Sequence, residues 1–126
     1  MNNIKFRVRD LKLNRYVPYA SIPVHNFDSY EYEYQQFIGI CDSKGIEIYD
    51  GDILLWTEEE YDKVINGIYV VVWDNDGLAW KFYDPYSELE FSLSETTIEI
   101  VIGNTYDNQN LLPSDNFELN NVFTFE

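Results

Sequence analysis

The chain has 126 residues, 45% of them hydrophobic and 17% aromatic, with a formal net charge of −15. That length suits one domain with a modest core. So acidic a body argues against binding polyphosphate backbones or anionic membranes.

The elements follow from the pattern in chain order. Ile4-Lys5-Phe6-Arg7-Val8-Arg9 alternates apolar and basic residues, the period of a strand with one buried face. Asp10 and Asn14 bracket a turn, and Tyr16 to Ala20 reads as a second strand interrupted by Pro18. Residues 21–35 read as irregular, ending in an alternation of Tyr and Glu from Tyr30 to Tyr34 that suits an edge strand protected by charge. Phe37 to Cys41 is a short apolar strand. Asp42-Ser43-Lys44-Gly45 is a tight turn whose glycine can take positive φ, and Ile46 to Tyr49 is the return strand. Asp50-Gly51-Asp52 turns the chain into Ile53 to Trp56.

Thr57 to Tyr61 reads as a loop tip or one helical turn, and Asn66-Gly67 as a two-residue hairpin turn. Ile68 to Trp73 has the strongest β character. Asp74 to Gly77 turns it into Leu78 to Tyr83, which Pro85 ends because proline cannot donate to a ladder. Glu90 to Leu93 and Thr97 to Ile102 are two more strands, the second with Ile98, Ile100 and Ile102 opposite Glu99 and Val101. Tyr106 to Leu112 reads as a turn or short helical piece before Pro113. The pattern predicts a mainly β fold with little helix, an antiparallel meander closing into a small barrel, SH3-like or related. It divides into an N-terminal strand and irregular segment (1–35), a barrel-like core (36–112) and an acidic tail (113–126). The tail keeps Phe117, Leu119, Val122, Phe123 and Phe125, so it is expected to dock on the body or on a neighbouring subunit.

Residues able to carry chemistry are scarce. The single histidine, His25, has Ser21 and Ser29 nearby in sequence, but neither serine sits in a nucleophile-elbow pattern. Cys41, the one cysteine, excludes an intrachain disulfide and, with Phe37, Ile38 and Ile40 beside it, reads as a buried small hydrophobe. One Cys and one His do not make a structural zinc site. Asp50-Gly51-Asp52 and Asp74-Asn75-Asp76-Gly77 hold oxygen ligands, but neither continues into a twelve-residue calcium loop, and Asp, Asn and Gly are what turns use. No phosphate-binding or dinucleotide motif is present, and no carboxylate pair stands out among 23 acids. The expectation is a protein without enzymatic activity, cofactor or metal.

Three segments together resemble the YopX-like family of phage and prophage proteins. They are Ile4 to Asp10, the eighteen residues from Phe37 to Leu54, and Val101 to Asn108 continuing through Leu111-Leu112. Order and separation agree over roughly residues 4–112, and the middle segment is the most specific. Arg9 stands where the family often carries an aromatic residue, and Cys41 where lysine is common. The resemblance implies a mainly β fold, a phage or prophage origin and homo-oligomerisation. It implies no activity and transfers no functional residue.

Charge distribution suggests where a partner would bind. Residues 1–20 carry Lys5, Arg7, Arg9, Lys12 and Arg15 against Asp10, a charge of +4, whereas the rest of the chain carries −19. Lys5, Arg7 and Arg9 share one face of the first strand and form the candidate interface, meeting acids of a neighbouring copy. The opposing expectation is a monomer in which the same cations pair with acids of their own chain. The leading reading is a non-enzymatic phage accessory protein that self-associates and binds a host or phage protein. The alternative is an acidic imitation of DNA that blocks a host nucleic-acid-binding protein. Nucleic-acid binding through the basic strand ranks below both. The opening MNNIKFRVRD lacks an apolar signal core, and no apolar run spans a bilayer. The expected location is the cytoplasm of the bacterial host, without membrane contact.

Overall fold

The computed structural model describes residues 4–18, 31–93 and 98–113. Among these residues nine strands follow in order: β1 (Phe6–Asp10), β2 (Arg15–Val17), β3 (Tyr32–Cys41), β4 (Glu47–Tyr49), β5 (Asp52–Glu60), β6 (Lys63–Asp74), β7 (Ala79–Asp84), β8 (Leu89–Ser92) and β9 (Ile98–Asn104). A 3₁₀ turn, Gln109–Leu111, follows β9. They form a four-stranded sheet ordered β2-β1-β3-β4 and a five-stranded sheet ordered β8-β7-β6-β5-β9. Every pairing is antiparallel, and the fold is mainly β with a curled half-barrel sheet, as the pattern predicts. No helix among the described residues is long and apolar enough to cross a membrane.

Strand alternation puts a hydrophobic cluster on each face of the five-stranded sheet. Leu54, Tyr69, Val71 and Phe82 face the four-stranded sheet and pack with its Ile38 and Ile48. Ile53, Val70, Val72 and Tyr83 face the other way, where Leu111, Leu112 and Ile102 close over them. Each fully buried side chain of this size contributes about 1.5–3 kcal/mol. The two faces of β9 separate as expected, with Val101 on the first cluster and Ile102 on the second.

Several local expectations need correction. Tyr34 and Phe37 belong to one ten-residue strand, which pairs with β1 over its first half and β4 over its second. This strand runs unbroken through residues 35 and 36. Thr57 to Glu60 is strand, and the hairpin turn is Tyr61-Asp62, with φ of 51° and 62°. Asn66-Gly67 lies inside β6 because Gly67 is paired with Trp56, whose ring lies across it. A Cβ on Gly67 would stand 2.6 Å from Trp56 Cζ2. Cys41 is exposed. Gly39, at φ 95°, and a register shift between Phe37 and Cys41 interrupt the strand after buried Ile38, and Ile40 and Cys41 are both exposed. His25, Ser21, Ser29 and the tail beyond Pro113 lie outside the described residues.

Candidate functional site

The alternation of β1 is real, but burial increases along the strand and takes in both faces at its end, where Val8 is as buried as Arg9. Phe6 is 44% exposed and Ile4 74%, while Arg9 is 1% exposed. Lys5, Arg7 and Arg9 point together into a ladder of alternating cations and rings. The Lys5 ammonium stands 5.6 Å from the centre of the Phe37 ring, and Phe37 packs against Tyr49 at 5.7 Å. The Arg7 guanidinium lies 5.1 Å from the Tyr49 ring and 4.6 Å from the Tyr16 ring. Arg9 follows, 4.8 Å from Tyr16 and 4.8 Å from Tyr106. Such stacking suits guanidinium, which is planar and weakly hydrated.

Each cation also finds a carboxylate on its own chain. Lys5 pairs with Glu47 at 2.6 Å, both partly exposed; Arg7 pairs with buried Asp52 at 2.7 Å; Arg9 pairs with Asp107 at 2.8 Å. Arg7 also donates from Nε to Gln35 Oε1 at 2.7 Å and from Nη2 to the Asp50 carbonyl at 3.2 Å. Arg9 grips both Asp107 oxygens and donates from Nη2 to the Asn14 carbonyl and side-chain oxygen. The structure thus brings together all three residues of the candidate interface, and the acids that meet them are intramolecular.

Local sequence explains why those acids are in place. Gly51 takes φ 83°, and a Cβ there would sit 2.6 Å from Gln35 Nε2. Its N–H donates to Val71 and its carbonyl accepts from Thr105, so this turn ties both sheets to the C-terminal loop. Asp52 closes the same turn by accepting the Tyr49 N–H at 2.8 Å. In the C-terminal loop Asn104 Oδ1 accepts the N–H groups of Tyr106 and Asp107, and Asn104 Nδ2 donates to Asp107. That turn presents Tyr106 and Asp107 to Arg9. Asp42 performs a similar service at the β3–β4 turn, accepting N–H groups from Lys44, Ile46 and, across the sheets, Val101.

The electrostatics are those of a packed scaffold. Burial pushes the Tyr16 hydroxyl up to about 12, against the pull of Arg7 and Arg9. It also lifts the Asp50 carboxyl to about 6, with Glu33 adding and Arg7 opposing. Burial raises Asp52 too, Arg7 and the Tyr49 N–H working the other way. Asp107 falls below its ordinary value through its bonds to Arg9 and Asn104. For Asp42 burial acts upward, but the three backbone N–H groups outweigh it and hold the carboxyl low. Asp50 has the proton affinity of a general base. Even so, it does not line the cavity of about 350 Å³ between Asp10, Arg15, Tyr16 and Tyr32. No group of three potential metal ligands occurs among the described residues.

The acids of this ladder were missed from sequence, although both stretches that supply them carry the family resemblance. A family model described as YopX protein matches residues 12–113. The chain belongs to the YopX family. The match opens after β1, so the basic strand lies outside it, while the Asp42, Asp52 and Asp107 turns lie within. The YopX-family fold recurs in the crystal structure of protein EF1440 from Enterococcus faecalis, at 19% identity and a TM-score of 0.61. That alignment covers 90% of this chain and 100% of the other. At such identity the likeness is one of fold. No curated protein matches the chain.

Proposed function

We propose that the protein is a phage-borne accessory factor that works by binding other proteins, copies of itself included, and catalyses nothing. The observation that carries this reading is the outer part of the β5–β6 hairpin. Pairing with β9 reaches only to Thr57, and pairing with β7 only to Val70. Beyond those points no third strand pairs with either of them among the described residues. The ribbon ends in Tyr61, 90% exposed, with Val64 64% exposed beside it. Exposed apolar side chains on an unsupported ribbon are costly to keep in water and become useful when a partner covers them. The buried ionisable groups support the same reading, because they hold turns and strands together instead of facing a cleft. Self-association through Lys5, Arg7 and Arg9 draws less support, since their charges are matched within the chain.

Sedimentation velocity over a wide range of concentration and salt, with capture from host lysate, tests the reading. A strict monomer that captures nothing would remove it. A second reading, an acidic imitation of DNA, draws on Glu58, Glu59, Glu60 and Asp62 clustered at the ribbon's end. It predicts that duplex DNA displaces the captured protein.

A further inference from the structure

The β5–β6 turn fixes which backbone groups face outward. Tyr61 and Asp62 both have positive φ, the two-residue geometry whose twist matches its strands. In such a hairpin the flanking pair, Glu60 and Lys63, exchanges both hydrogen bonds, and bonded pairs then alternate. Ile65, Gly67 and Tyr69 therefore turn their N–H and C=O toward β5. Val64, Asn66 and Ile68 turn theirs away from it. β7 takes up the outward groups only from Val70 onward, so along Val64 to Ile68 no strand receives them among the described residues. Edges of this kind are usually blunted by lysine, proline or a bulge. Val64-Ile65-Asn66-Gly67-Ile68 has none of these, no charge, and three β-branched residues.

We propose that this outer edge of β6 is a strand-addition site that takes an extended, basic segment of a partner protein. The inference rests on the protein-binding reading above. Charge decides the occupant: Glu58, Glu59, Glu60 and Asp62 against Lys63 leave the ribbon's end at −3, on a chain of −15. A second copy would bring the same negative charge to the contact, whereas Lys or Arg residues on an added strand, its backbone about 9.6 Å from β5, have side chains long enough to approach those carboxylates. Five residues from Val64 to Ile68 span about 17 Å, enough for main-chain bonds to a segment of five to seven residues.

The test is a titration of the full chain with a decapeptide of alternating lysine and valine, its glutamate–valine counterpart as control, followed by amide exchange. The lysine peptide should slow exchange at Val64, Asn66 and Ile68 at least tenfold and lose affinity at high salt. Val64→Pro removes one outward N–H and leaves the β5–β6 bonds, so it should weaken binding at least tenfold with Val70 to Trp73 unchanged. Asn66→Pro serves the same purpose if that variant does not fold. Absence of protection at these amides, equal binding of the glutamate peptide, or concentration-dependent protection without peptide would each overturn the proposal. Capture of a host protein that Val64→Pro leaves intact would overturn the edge while sparing the protein-binding reading.

Discussion

Arg9 is an almost fully buried guanidinium whose counter-ion is half-exposed, Asp107 keeping 49% of its side-chain accessibility. Its stability therefore depends on geometry: a fork gripping two carboxylate oxygens, two bonds to Asn14, and a tyrosine ring on each side. Removing the charge of Asp107 leaves that guanidinium buried without its counter-ion, which is the expensive way to break a pair. Asp107→Asn is expected to cost about 2 kcal/mol in urea unfolding. Glu47→Gln, which breaks the solvent-exposed pair with Lys5, is expected to leave the midpoint unchanged. Equal losses in the two variants would mean that burial does not set the worth of these bridges. The period of β1 was legible from Ile4 to Arg9, and Val8 is buried as an apolar residue should be, but the burial of Arg9 beside it was not legible. A hydropathy pattern assigns cations to water, and only the fold reveals rings and carboxylates converging from Tyr16, Asp52 and Tyr106.

At the level of the strand, the β5–β6 hairpin shows a turn signal overridden by packing. Asn-Gly is a strong local preference for a two-residue turn, yet the chain turns five residues earlier at Tyr61-Asp62 and accepts positive φ at two residues other than glycine. That register pairs Leu54 with Tyr69 and Ile53 with Val70, putting both couples in the core. A turn at Asn66-Gly67 would forfeit those pairings, and a one-residue slip would send every side chain to the wrong face. Gly67 is needed for the room it leaves Trp56. Gly67→Ala should thus cost about 1–3 kcal/mol by overpacking and perturb the indole spectrum. Asn66→Thr should change stability by less than about 0.5 kcal/mol, as at an ordinary strand surface. A large loss from Asn66→Thr with none from Gly67→Ala would restore the turn to the Asn-Gly pair. The neighbouring turns Asp42 to Gly45, Asp50 to Asp52 and Asp74 to Gly77 were legible, because there local preference and core register agree.

For the whole molecule, the carboxylates divide into two populations with opposite effects on stability. Asp42 and Asp107 have folded values below the ordinary 3.8. The stability they supply is complete above that value and disappears as pH falls through their folded values. Asp50 behaves in the opposite sense, being lifted by burial from 3.8 to about 6. Above pH 6 the fold must hold its carboxylate in a poorly solvated place. As pH drops from 6 toward 4 the folded state takes up that proton before the unfolded state does, and stability rises. A chain of −15 also repels itself less as its acids protonate. Stability is therefore expected to climb from pH 7 to a maximum between about 4 and 6, then fall steeply as the Asp42 and Asp107 anchors are protonated. Asp50→Asn removes the buried charge while its backbone carbonyl still accepts from Arg7. It should add about 1–2 kcal/mol at pH 7, less than the roughly 3 kcal/mol ceiling of a two-unit shift because Asp50 is only partly buried and Arg7 compensates. The gain should shrink to nothing by about pH 4, where wild-type Asp50 is already neutral in the folded state. Urea unfolding of both proteins across that range measures it, and a gain independent of pH would place the benefit in packing instead of charge.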